Sequence, residues 1–311
     1  MPLARLLSAA SLRSLPDFRM GPALQVFFSR LSSSVILWGV CSATMFWAYE
    51  PGFWLLLAGL ILRGLWEFFR MLSHAKLPHF PKTGMLLGAA LCLGSLWTAS
   101  RWGCQAAMQF ESLTLTLSVL WVFARQMART APEPLPAASI AYTLLGVVYI
   151  PFLASFTTKL LYITPQTGTG AITGHFYLLF LVLVTKFSDC GAYLVGSLFG
   201  KHRMIPHISP KKTWEGFGGA LLLSVAGSLA LLKIFPTRLA LISPAHGIIL
   251  GLLLSVVAVI GDLAESIIKR STTTKDSGHF LPGIGGAMDL IDSLLFTGPV
   301  FYLYLRLILG A

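Results

Sequence analysis

The stretch Ser266–Asp292, SIIKRSTTTKDSGHFLPGIGGAMDLID, separates two apolar runs at 245–261 and 293–310. Each run is close to the length that crosses a bilayer as a helix. The island between them carries Lys269, Arg270, Lys275, Asp276, Asp289 and Asp292, with a Gly-Gly pair at Gly285–Gly286, and Asp262 and Glu265 lie just upstream. Five of the chain's 12 acidic residues fall between positions 262 and 292. Mixed charge at that density, held between two apolar spans, points to a surface site that handles a metal and an anion together.

The same alternation extends outward through the chain. The 311 residues are 55% hydrophobic and 11% charged, against roughly a quarter charged in soluble domains. Apolar runs at 33–49, 53–72, 84–99, 112–124, 137–156, 176–199, 216–235, 245–261 and 293–310 predict an all-α polytopic membrane protein of about nine helices. A barrel is excluded because its two-residue alternation is missing, and backbone groups in lipid must be satisfied within each segment. Residues 1–32 are set apart as a basic segment from a single transmembrane catalytic domain at 33–311. Leu3, Leu6, Leu7 and Ala10 there fit a short interfacial helix. The Arg- and Ser-containing, acid-poor composition also resembles a targeting segment. Cys41, Cys92, Cys104 and Cys190 are scattered without a CxxC pair, so no redox or disulfide role is read.

The net charge of +11 follows topology rather than nucleic acid. One alternate set of connections, including 70–83, 200–215 and 262–292, carries 16 Lys and Arg against five in the opposite set, Arg101, Lys159, Lys233, Arg238 and Arg306. This places the N-terminus and the charged island on the cytoplasmic side, in the inner membrane if the cell is bacterial.

On that same side falls a second polar block, 186–216, KFSDCGAYLVGSLFGKHRMIPHISPKKTWEG. Lys186 and Asp189 lie three apart late in an apolar run, where ionisable groups are costly and suspect. Gly191, Gly196 and Gly200 suit close helix packing. Ser209, Lys211, Lys212, Thr213 and Glu215 precede or open the next helix, whose first N–H groups attract anions. The histidines His175, His202, His207 and His279 have no metal-ligand spacing. Arg63 and Glu67, four apart in the second run, pair on one helix face, as an anchor or with a functional role.

Asp262 with Glu265 and Asp289 with Asp292 are two i, i+3 carboxylate pairs at facing helix ends. They offer hard oxygens of the kind Mg²⁺ shares with substrate phosphates. Lys211, Lys212, Lys269, Arg270 and Lys275 supply counter-charge, and glycines at 278, 283, 285 and 286 allow backbone approach to phosphate. No GxxxxGK[ST] or GxGxxG occurs, and no GxSxG elbow. The residues alone lead to a membrane enzyme using Mg²⁺ and a nucleotide or other phosphate-rich substrate. A transporter using Lys186, Asp189 and Glu67 as relay groups is the rival reading.

Ser266-x-Ile268-Lys269-Arg270, then Lys275-Asp276-x-Gly278, Leu281-Pro282, Gly285-Gly286, Asp289 and Asp292 closely resemble the signature of the CDP-diacylglycerol synthases, or phosphatidate cytidylyltransferases. DCGAYLVGSLFGKH and ISPKKTWEG resemble that family's second hallmark block. The resemblance implies reaction of phosphatidic acid with CTP, Mg²⁺-dependent, giving CDP-diacylglycerol and pyrophosphate, by a homodimer. It implies metal-site aspartates at Asp262, Asp289 and Asp292, with Lys275 and Asp276 also catalytic. Ser209, Lys211, Lys212, Thr213, Lys269, Arg270, Gly285 and Gly286 are expected to bind CTP or phosphate, with Lys186, Asp189, Glu215, Glu265 and Ser266 as supporting residues. A second cation and a different lipid acceptor stay open. Two positions depart from the signature: Ile284 stands where a His is usual, and Leu290 where an Arg is usual.

Overall fold

The computed structural model describes residues 39, 50–129, 135–163, 174–274, 277–278 and 285–310. Seven helices among these are long and apolar enough to cross a membrane, and the protein is a polytopic membrane protein. They comprise α1 (Glu50–His74), α2 (Pro81–Met127), the pass formed by α3 (Pro136–Val147), a π-turn (Val148–Phe152) and α4 (Leu153–Leu160), then α5 (Gly174–Phe199), α6 (Trp214–Ile234), α7 (Pro244–Ser271) and α8 (Ala287–Leu307). Proline opens α2, α3 and α7 in the first turn, where a missing N–H costs nothing. Thr213 caps α6 by accepting from the Gly216 N–H at 3.2 Å.

The expected third and fourth runs are one 47-residue helix with a break at Gly103, where φ is +82°. Only glycine adopts that conformation without strain. Ser95 donates to Glu111, sixteen residues on, a separation that would be about 24 Å in a straight helix. A Cβ at Gly94 would meet the Phe110 ring. The helix therefore folds back on itself as two antiparallel limbs. The expected run at 33–49 and the segment 1–32 lie outside the described residues, apart from Gly39.

The bundle is sewn together by small residues and hydroxyls. Along α5 and α6, a Cβ at Gly191 would strike the Gly219 carbonyl, and Gly196 lies against Gly216. Ser224 and Ser228 of α6 donate to the carbonyls of Gly251 and Gly247 on α7 at 2.9 and 2.7 Å. Such contacts replace the hydrophobic drive that lipid removes. Meanwhile Leu113, Leu117, Leu120 and Trp121 of α2 face outward, as a lipid-facing surface requires.

Cross-links between helix ends define two poles. Trp54 bonds Tyr162 and His246 bonds Tyr304, both at 2.7 Å, at one pole. At the other, Thr274 donates to Met71, Arg125 stacks over Phe80, and Arg270 donates to the Ile208 carbonyl. The basic connections at 75–80 and 200–213 gather at this second pole with residues 272–274.

Two expectations change. The 200–215 connection is not wholly irregular: β1 (Arg203–Ile205) pairs antiparallel with β2 (Ser209–Thr213), a local exception in an otherwise helical chain. Lys159, expected in a solvent-facing connection, is fully buried, ion-paired with Glu111 and 3.2 Å from Ser155 Oγ. The pairing escapes a hydropathy reading because its partner arrives from the second limb of α2.

Candidate functional site

At the basic pole, α5, β2, α6, α7 and α8 enclose a cavity of about 670 Å³. The last turns of α7 and the first of α8 supply its acidic wall. Asp262, Glu265 and Lys269 share one face of α7 by their i, i+3 and i+4 spacing, while Asp289 and Asp292 do so on α8. The opposite wall carries Lys186 and Asp189, 3.0 Å apart, with Lys211, Lys212 and Thr213.

Three of the four cavity lysines, Lys186, Lys212 and Lys269, are paired with carboxylates. Lys212 Nζ lies 2.8 Å from Asp262 and donates to the Val259 carbonyl at 3.1 Å. Lys269 bridges the two helices, 2.8 Å from Glu265 and closer still to Asp289. Asp289 also accepts the Gly286 N–H at 2.6 Å, which closes the α8 N-terminus. Asp292 is 7% exposed and accepts from the backbone and hydroxyl of Ser293.

Oxygens of Asp262, Glu265 and Asp292 lie within 4.8 Å of one another. Glu265 Oε1 is buried and has no hydrogen-bond partner among the described residues. Three converging carboxylates with one orphaned buried oxygen fit a divalent cation, since hard cations take oxygen ligands and burying an unpaired acceptor is costly. Asp289, expected in that set, lines the same cavity but is held by Lys269 and Gly286. Glu265, expected only as support, stands in the trio. The lining groups comprise four lysines (186, 211, 212, 269) and five carboxylates (189, 262, 265, 289, 292). One divalent cation would turn this slight negative excess positive, as a polyphosphate requires.

Other expected residues lie around the cavity rather than on it. Glu215 accepts from the backbone N–H groups of Lys201 and His202 at 3.1 and 3.2 Å and fastens the turn before β1. Arg270 is exposed and holds the β-hairpin through Ile208, and Ser209 pairs with Ile205 across it. Ser266 is half-buried on α7. Gly285 has φ +111°, and a Cβ there would collide with Asp289. A Cβ at Gly286 would strike Ser277 and Glu67, so this pair serves close packing. Lys275, Asp276 and Ile284 lie outside the described residues. Leu290 packs with Ile268 and Phe296 against an apolar cluster and does not line the cavity.

Glu67 acts at a distance. It is fully buried, accepts the Met288 N–H at 3.0 Å and the Ser277 hydroxyl at 3.4 Å, and pairs with Arg63 at 3.2 Å. It thereby ties both ends of the 277–288 connection to α1 and sets where α8 begins. The Arg63–Glu67 spacing flagged it, but nothing local reveals a partner 221 residues away. Tyr193, Met204 and Phe217, which add apolar lining, left no signal at all.

An apolar helical bundle with lysines and carboxylates clustered in a cavity at one pole is a membrane-embedded protein with a charged site. The profile of the cytidylyltransferase family matches residues 28–308, and the chain belongs to that family. It is 33% identical over 281 residues to a phosphatidate cytidylyltransferase of Mycobacterium leprae, covering 87% of this chain and 84% of that one. It is 33% identical over 235 residues to the Mycobacterium bovis protein of the same name, covering 73% and 72%. A third such protein, from Synechocystis, is 31% identical over 281 residues, covering 81% and 88%.

Proposed function

We propose that this chain transfers the cytidylyl group of CTP to phosphatidic acid, forming CDP-diacylglycerol and pyrophosphate for phospholipid synthesis. The observation that carries the reading is the meeting of the carboxylate trio with four lysines in one cavity of a membrane-spanning bundle. Family membership and the names of the long-matching relatives supply the nucleotide and the lipid. Glu67, a relay candidate of the transporter reading, has both oxygens engaged, Oε1 by Arg63 on its own helix and Oε2 by the Met288 N–H and the Ser277 hydroxyl.

In the reaction, a phosphatidate phosphate oxygen attacks the α-phosphorus of CTP, and the bond to the β-phosphate breaks as pyrophosphate leaves. The nucleophile is already an anion, so no side chain need remove a proton. What the protein must provide is alignment and charge neutralisation. Lys186, Lys211, Lys212 and Lys269 all line the cavity, so phosphates within it meet several cations. Lys212 and Lys269 are held in place by Asp262, Glu265 and Asp289 before substrate arrives. Asp262, Glu265 and Asp292 would hold Mg²⁺, which when bound supplies positive charge to the triphosphate. Thr213 shapes the floor by capping α6.

The basic pole is assigned to the cytoplasmic face, of the inner membrane in a bacterium, by the bias of lysine and arginine toward it. A homodimer is retained as part of the proposal. The test is formation of CDP-diacylglycerol by detergent-purified protein from labelled CTP, phosphatidic acid and Mg²⁺. Transfer to another phospholipid or polyprenyl phosphate in preference to phosphatidic acid would redirect the lipid assignment, and absence of CTP turnover would refute it.

A further inference from the structure

Two polar atoms buried beside the cavity have no hydrogen-bond partner among the described residues: Glu265 Oε1 and the Tyr149 hydroxyl. Tyr149 is 6% exposed, its ring held between Phe68 at 6.5 Å and Phe296 at 6.2 Å. It lies in the π-turn Val148–Phe152, which Pro151 explains. Proline has no N–H to donate and crowds the preceding turn of a regular helix, and a widened turn relieves both. The charges acting on the Tyr149 hydroxyl are those of Glu265, Asp292 and Asp262, Glu265 first. Phe296, against which the ring packs, stands one helical turn after Asp292 on α8, so Tyr149 lies behind the trio with its hydroxyl bonded to nothing among the described residues. Burying a hydroxyl that bonds to nothing is costly, and a phenol whose charged neighbours are all acceptors is placed to donate.

We propose that Tyr149 is a positioning residue of the cation site, its hydroxyl donating to a water that completes the shell of a divalent ion held by Asp262, Glu265 and Asp292. The inference rests on the metal reading given under Proposed function. Mg²⁺ characteristically keeps several of its waters in protein sites. Partners that orient such ligands usually change metal affinity 10–100-fold when removed. Nothing about Tyr149 requires contact with substrate.

Tyr149→Phe removes the oxygen and keeps the ring between Phe68 and Phe296. The full chain, purified in detergent without CTP or lipid, is titrated with Mn²⁺ and the free ion followed by electron paramagnetic resonance. Metal-free thermal unfolding is measured in parallel. The expected result is ~10–100-fold weaker Mn²⁺ binding with an unchanged or raised metal-free unfolding temperature. In turnover, the Mg²⁺ concentration for half-maximal rate should rise by a similar factor. Wild-type affinity in Tyr149→Phe overturns the proposal and leaves the trio standing, as does a lowered metal-free unfolding temperature with affinity retained. Failure of the wild-type chain to bind Mn²⁺ better than Glu265→Gln removes both.

Discussion

The Glu111–Lys159 pair and the Asp262, Glu265 and Asp292 trio are charge clusters built oppositely. Glu111 and Lys159 are 2% and 0% exposed, one anion matched to one cation, with Ser95 and Ser155 filling remaining positions. No charge is left over, and the pair fastens the second limb of α2 to α4. Asp262, Glu265 and Asp292 instead crowd three carboxylates together, leave a buried oxygen bare, and open onto a cavity. The first arrangement is balanced within itself; the second holds a surplus carboxylate and a bare oxygen beside a cavity. Charge inside a membrane span marks function by default, yet here the deciding property is the surplus rather than the burial.

Substitutions at the two clusters should therefore separate stability from turnover. Asp292→Asn is expected to lower CDP-diacylglycerol formation at least ~100-fold, the scale of losing one preorganised electrostatic group. Because it relieves repulsion within the trio, the metal-free unfolding temperature should hold or rise. Lys159→Met should do the reverse. It strands Glu111 and is expected to destabilise by about 3–5 kcal/mol, seen as a lowered unfolding temperature, while the folded fraction keeps its rate. Pairing it with Glu111→Gln should recover most of that loss; equal destabilisation in single and double variants would contradict the account of a self-contained pair.

Between these extremes stands Glu67, buried and saturated like Glu111 but wired to the cavity through Met288 and Ser277. Glu67→Gln is expected to cost ~10-fold or more in rate and about 1–3 kcal/mol in stability, a mixed result that neither cluster alone would give. Loss of stability with full activity would move Glu67 into the class of the Glu111 pair. The smallest effect is expected from Lys212→Met, which leaves the trio intact but removes one cavity cation. It should raise the KM for CTP by ~10-fold, the scale of a single charge-assisted contact, more than it lowers kcat.

The contrast also explains what could be read from the sequence. Hydropathy located the helices because each must satisfy its backbone alone in lipid, and the i, i+3 spacing placed each carboxylate pair on one face. The convergence of Asp262 with Asp292 was legible because both sit at helix ends flanking a single polar connection. The different surroundings of the two α8 aspartates were not. Asp289 and Asp292 look equivalent in sequence, yet Asp289 lies within reach of the Gly286 N–H and Lys269, while Asp292 turns to Glu265 and Asp262. Helix rotation decides that. Glu111 and Lys159, 48 residues apart, pair only because the chain reverses at Gly103, and hydropathy registers such a reversal merely as a weak, interrupted span.

The central question is which carboxylates hold the cation. The most direct measurement is Mn²⁺ affinity of the purified chain with Glu265→Gln set beside Asp289→Asn. Binding should collapse in Glu265→Gln and survive, weakened at most, in Asp289→Asn. Retention in Glu265→Gln with loss in Asp289→Asn would contradict the assignment and return Asp289 to the metal.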